Sequence, residues 1–147
     1  MVSPELLRRF PYFAPIEEES LRQIAMIAKE VVVPASTTLF DEHDPADRMY
    51  LMVDGEVQLQ YMLGSGELRT VDTVGNGELL VWSALVEPYR CTGIGTTTRE
   101  SRLVAFDAVA LRQLCQDRPE LCVRLMTQIT KLVANRLEAA RVQLAAV

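Results

Sequence analysis

The stretch GELLVWSALVEPYRCTG, Gly77 to Gly93, collects small residues, the Glu78 carboxylate and the Arg90 guanidinium in one short irregular segment. Anion binding asks for such a mixture. Glycine lets backbone amides come close, the first amides of a helical turn are free donors, and arginine pairs with a phosphate through parallel hydrogen bonds. Val81 and Trp82 interrupt the segment with bulk. Elsewhere the chemistry is sparse. His43 is the only histidine, and Cys91, Cys115 and Cys122 are odd in number, with neither metal-ligand nor C-x-x-C spacing. Reduced thiols and no metal site are expected. With no clustered carboxylate pair and no nucleophile beside a base, no enzymatic activity is expected either.

The elements that would hold such a loop follow from the changing hydrophobic period. Ser3 can cap a short helix with Pro4 in its first turn. IEEESLRQIAMIAKE repeats apolar residues at helical spacing, with Glu17 to Glu19 at the positive end of the helix dipole. From Val31 the pattern becomes that of strands. VVVPASTTLF is broken by Pro34, RMYLMVDGEVQLQYML turns at Asp54-Gly55, GSGE makes a hairpin into LRTVDTV, and strands follow near CTGIGTTT and SRLVAFD. Asp107 can cap a helix over AVALRQLCQD, and Pro119 restarts the chain as a long helix. The predicted fold is α+β, a mainly-β jelly-roll barrel in a single domain over 1–147. Short helices occupy 1–29, the β-roll 30–107 and C-terminal helices 108–147.

Met126, Val133, Ala140 and Val147 in the long helix recur every seven residues, interleaved with Thr130, Leu137 and Leu144. That is a coiled-coil seam with one polar position, and it predicts a homodimer through the C-terminal helix. Leu125, Leu132 and Val142 lie off the seam and are expected to cover the barrel. Arg124, Lys131, Arg136 and Arg141 are expected on the solvated face.

The 147 residues are 49% hydrophobic, enough for one compact core, and no apolar run approaches the roughly 20 residues of a membrane span. The start, MVSPELLRRF, has no signal-peptide pattern, so a cytoplasmic protein is expected. A formal charge of −5 offers nucleic acid and anionic lipid no long-range attraction.

LFDEHDPADRMYLMVDGEVQL resembles the signature of the cyclic nucleotide-binding domain, with Asp44, Tyr50, Gly55 and Val57 where that pattern has them and His43 where glycine is common. The helix PELCVRLMTQITKLVANRLEAARVQL is similar to the dimerising helix of catabolite activator protein-like sensors. The resemblance implies a cassette in which backbone amides and an arginine hold a cyclic phosphate and a glutamate takes the ribose hydroxyl. It also implies a regulatory module. The helix-turn-helix of many such regulators is not expected within these residues.

Two registers set the family motif, G-E-x-A-L followed by an arginine, on this chain. One uses Gly77, Glu78 and Arg90 but requires an insertion. The other keeps the spacing by giving Ala84 and Leu85 the A-L position, with Ser83 before them and Thr92 after the arginine position. It sets Val81 on the glycine, Trp82 on the glutamate and Cys91 on the arginine. The second register is preferred, and it makes the cassette degenerate. Arg90 and Cys91, as neighbours on a strand, then face opposite ways. Trp82 is read as filling the nucleotide's space, with a lid over another ligand as its alternative. His43, which could ligate haem as in one relative of this family, is read as a solvated turn residue. Two readings of function stay open. One is a sensor of a cyclic nucleotide or another small ligand. The other is a ligand-free dimerisation module that docks onto a protein partner.

Overall fold

The computed structural model describes residues 1–146, so the expectation for Val147 lies outside the described residues. Two short helices, α1 (Pro4–Arg8) and α2 (Glu18–Met26), precede eight strands, and two further helices, α3 (Ala108–Asp117) and α4 (Pro119–Ala145), follow. The strands are β1 (Ala28–Val33), β2 (Thr38–Phe40), β3 (Arg48–Asp54), β4 (Val57–Met62), β5 (Leu68–Val74), β6 (Leu79–Leu80), β7 (Ile94–Thr97) and β8 (Ser101–Asp107). They form two antiparallel sheets of four, in the orders β1-β8-β3-β6 and β2-β7-β4-β5. This is the jelly-roll the sequence pattern calls for.

Local signals account for most of the boundaries. The Ser3 hydroxyl accepts from Glu5 N at 3.1 Å, and Asp107 Oδ2 accepts from Ala110 N at 2.8 Å, so both predicted caps are made. The GSGE turn closes through Leu63 N donating to the Glu67 carbonyl at 2.8 Å, with Gly66 at φ 85° as the turn requires. Two expectations change. α2 stops at Met26 rather than running on to Glu30, because Ala28 to Val33 pair with Ser101 to Phe106 of β8, and cross-strand pairing outweighs helical periodicity there. The Asp54-Gly55 turn does not close a hairpin. It carries the chain from β3 in one sheet to β4 in the other.

That crossing depends on Gly55. A Cβ at Gly55 would overlap the Ser101 side chain and lie 2.7 Å from its Cα, while Ser101 Oγ accepts from Glu56 N at 3.2 Å. Gly55→Ala should therefore cost about 1–3 kcal/mol, as overpacking does. A chemical-denaturation midpoint equal to that of the unsubstituted protein would refute this.

The β1-β8-β3-β6 sheet is buried on both faces along β3 and β8. Met49, Leu51 and Met52 of β3 and Leu103, Val104 and Phe106 of β8 are buried, and the Phe106 ring stacks on Phe13 with centroids 5.5 Å apart. α4 lays Leu121, Leu125, Ile129 and Leu132 on the barrel. Met126 is half-buried against that same core, so the first seam position serves the barrel in part. Val142 points to solvent, with 60% of its surface exposed, contrary to its expected place on the barrel. The helix buries no side chain fully after Leu132.

Candidate ligand cassette

The loop in question hangs from β6. Leu79 and Leu80 are buried and pair with Leu51 and Tyr50 of β3, which fixes the point where the chain leaves the sheet. Val81 then turns it, at φ 61° and ψ 51°, into a 3-10 turn over Trp82–Leu85. A β-branched residue is strained in that left-handed region, and glycine is the residue that takes it freely. Val81 is also the residue that the insertion-free register sets on the family glycine. Ser83 and Ala84 are buried beneath the turn, and Ala84 N donates back to the Val81 carbonyl at 3.1 Å.

Arg90 and Cys91 precede β7 and lie in no strand, contrary to the expectation of strand neighbours; Arg90 makes only an isolated bridge to Pro45. Arg90 is exposed, and its Nη1 donates to the His43 carbonyl at 3.0 Å on the outside of the loop. Cys91 is 4% exposed and faces inward, while its backbone exchanges hydrogen bonds with the Asp44 carbonyl and His43 N, each at 2.8 Å. Thr92 is exposed at the rim. His43 itself has φ 69° and a side chain that is 83% exposed. Among the described residues no group of three or more histidines, cysteines or carboxylates is arranged to hold a metal ion.

Phe40, Leu59, Trp82, Cys91, Thr92 and Arg136 surround a cavity of about 20 Å³. That is room for about one water molecule. Gly77 and Glu78, the pair of the other register, do not line it, and neither does Arg90. Gly77 closes the preceding turn at φ 85°, its N–H donating to the Met52 carbonyl at 2.7 Å. Burial raises the Glu78 carboxyl pKa, and nearby Asp72 adds to the rise, against the opposing pull of the Gly75 backbone and Arg136. A second, open cleft of about 490 Å³ shares Val81 and Cys91 and carries Asp44, Asp47, Arg48 and Asp107. Burial pushes the Cys91 thiol up, and Asp44 and Asp47 push it further. Arg48 lies in the same cleft, and Arg136 lines the small cavity beside it.

Two arginines hold the cassette from outside, and the sequence reading assigned neither to it. Arg112 of α3 donates from Nε to the Ala84 carbonyl at 2.7 Å and from Nη2 to the Ala46 carbonyl at 3.3 Å, and it lies 3.8 Å over the Tyr89 ring. Arg136, expected on the solvated face of α4, instead reaches over the loop. Its Nη2 donates to the Leu79 carbonyl at 3.3 Å, and its Nε lies 3.6 Å from Asp72 Oδ2. Nothing in the sequence singled out Arg112 from the other polar residues of α3, or Arg136 from its neighbours on α4. Val133, Leu137 and Leu144 are exposed along α4, as are Thr130 and Ala140.

The family model described as "Cyclic nucleotide-binding domain" matches residues 30–118. A CRP-like cAMP-activated global transcriptional regulator of Mycobacterium tuberculosis is 28% identical over 141 residues, covering 96% of this chain and 61% of that protein. The chain therefore spans 61% of the length of this curated relative. A structure from Geobacter metallireducens GS-15, described as a candidate cyclic nucleotide-binding protein, superposes with a TM-score of 0.85 at 32% identity, covering 93% of this chain and 99% of that one. The N-terminal domain of a transcriptional regulator from Streptomyces coelicolor A3(2) superposes with a TM-score of 0.71 at 30% identity, covering 92% and 94%.

Proposed function

Since the chain belongs to the cyclic nucleotide-binding domain family, we propose that it is a ligand-sensing regulatory module whose phosphate cassette keeps the family backbone and has lost the family chemistry. The observation carrying this reading is the inward Cys91, which shares a small cavity with Val81 and Trp82 while Arg90 bonds outward to His43. A thiol brings no cation to a phosphate, and an indole accepts no ribose hydroxyl proton. The module signals through α4, which carries Arg136 over the cassette and leaves Val133, Leu137 and Leu144 exposed for a second copy. Partners are this second copy and a protein that the module regulates. Nucleic acid is not a partner of these acidic residues. No helix among the described residues is long and apolar enough to cross a membrane. A cytoplasmic location fits the unpaired thiols.

The test is thermal stability against a ligand panel, because a ligand that binds only the folded state adds about 2.7 kcal/mol at a hundred times its Kd. Cyclic AMP and cyclic GMP should leave the unfolding temperature unchanged, while small molecules of other classes include one that raises it. A second reading, a ligand-free interaction module, has the filled cavity in its favour. A panel without any stabilising compound, together with native mass spectrometry of the isolated protein showing no retained small molecule, would decide for that reading.

A further inference from the structure

Among the described residues, one buried side-chain nitrogen or oxygen has no hydrogen-bond partner, and it is Arg136 Nε. Its ion-pair partner, Asp72 Oδ2, stands 3.6 Å away, too far for a hydrogen bond. The bond that Nη2 donates to the Leu79 carbonyl is long too, at 3.3 Å. Burying a donor unpaired is unfavourable, so such a nitrogen marks a place where an acceptor belongs. That place adjoins the cassette. Arg136 lines the cavity of about 20 Å³, as do Ser83 and Thr92, whose hydroxyls can also donate. Ser83 is only 4% exposed. Much of the remaining wall is apolar, from Phe40, Leu59, Leu80 and Trp82.

Resting on the reading of the chain as a ligand sensor, we propose that this cavity takes a small organic monocarboxylate, with Arg136 as the anchor of its carboxylate. The guanidinium fork matches the two oxygens of a carboxylate, and Nε with Nη2 is the pair that would meet them. Asp72 already offsets part of the positive charge, which favours a monoanion over a phosphate dianion. An apolar wall with few polar groups suits an organic body rather than a bare inorganic ion. The cavity has room for about one water, so that body enters by displacing the half-buried Trp82 indole. As the carboxylate pairs with Arg136, the guanidinium is drawn from Asp72 and from the Leu79 carbonyl. Arg136 belongs to α4, so occupancy changes what ties that helix to β5 and β6. A cation thus reaches the cassette from α4, although the position aligned with the family's arginine holds Cys91.

The experiment is a fluorescence titration of the full chain, in which Trp82 is the only tryptophan and therefore reports on the cavity directly. Butyrate, hexanoate and cyclohexanecarboxylate are added at constant ionic strength, beside the corresponding amides, which keep the size and remove the charge. The expected result is a saturable change in emission with at least one of the three acids and none with its amide. Arg136→Gln should weaken that binding by at least about tenfold. Asp72→Asn should strengthen it several-fold, because the carboxylate that competes for the guanidinium is gone, a gain that a merely structural ion pair does not give. If Arg136→Gln fails to fold, Asp72→Asn and the comparison of acid with amide still decide. No saturable change with any of the acids, equal changes with the amides, or affinity left unchanged by either substitution would each overturn the proposal. A stabilising ligand of another class, found without any response to the acids, would leave the sensor reading standing and remove only the carboxylate. Saturable binding of cyclic AMP that depends on Arg136 would overturn both.

Discussion

Cyclic AMP and cyclic GMP titrated into this protein should give no saturable heat in the micromolar range. Three positions produce that result. Cys91 and Trp82 line the small cavity, and the insertion-free register gives them the positions of the family's arginine and ribose-binding glutamate. Each missing charge-assisted hydrogen bond removes about 1.5–3 kcal/mol. At 1.4 kcal/mol per tenfold, losing both moves a micromolar site to roughly millimolar. Sterics act in the same direction within the small cavity, where about 20 Å³ beside the indole holds one water. Val81, in glycine's conformation but with a branched side chain, blocks the close approach of backbone to phosphate. Combining Trp82→Glu with Cys91→Arg should bring affinity back by at least about a hundredfold, and adding Val81→Gly should improve it further. The opposite outcome is equally concrete. Micromolar binding by the unsubstituted protein, abolished by Arg90→Ala, would mean that Arg90 leaves the His43 carbonyl to meet the phosphate, and the degenerate reading would fail.

Local rules made the barrel legible, and tertiary contacts made the cassette's surroundings illegible. β5 and β8 occupy LRTVDTV and SRLVAFD because turn residues and a helix cap punctuate both ends of each, and both signals lie within the segment itself. The sequence pattern reads Arg90 and Cys91 as strand neighbours, but the strand begins only at Ile94, beyond both. β6 was not legible, because two leucines carry no period, and only pairing with Tyr50 and Leu51 makes them a strand. Arg136 shows the limit most clearly. It shares charge and helix with Arg124, Lys131 and Arg141, and only the course of β5 and β6 beneath α4 brings the Leu79 carbonyl and Asp72 within its reach. Met126 and Val142 exchanged their expected surroundings for a related reason. A seven-residue repeat gives one angular position per residue, but it does not say how far along its length the barrel buries apolar side chains; the last fully buried side chain of α4 is Leu132, and beyond it only polar contacts to β6 and β5, from Arg136 and Gln143, tie the helix to the barrel.

α4 keeps polar contact with the barrel as far as Gln143, whose Nε2 donates to the Val71 carbonyl at 3.3 Å, so a second copy would have to pair on the opposite, exposed face. Beyond Leu132 the seam positions face solvent, with Val133 38%, Leu137 56% and Leu144 76% exposed. Isolated exposed leucines are ordinary, but a stripe at heptad spacing on one helix marks an association surface. Two parallel copies of α4 would bury Leu137 and Leu144 from each protomer at about 1.5–3 kcal/mol per side chain. Thr130 fits the seam as its one polar position, because its hydroxyl already donates to the Met126 carbonyl at 2.8 Å and leaves no unsatisfied donor when buried. Arg136 stays out of the interface by turning back to the cassette, so the helix meets its partner on one side and the ligand loop on the other. The double substitution Leu137→Glu, Leu144→Glu should therefore convert a dimer into monomers. Losing the apolar burial and setting like charges against each other across the seam should weaken association by roughly a thousandfold or more, which is about 4 kcal/mol. The barrel should be unaffected, because neither leucine touches the core, and the variant's circular dichroism and unfolding midpoint at high dilution should match those of the parent protein. Sedimentation velocity decides it. If the unsubstituted chain sediments as a monomer at micromolar concentration, the stripe pairs with a different protein, and the homodimer is withdrawn.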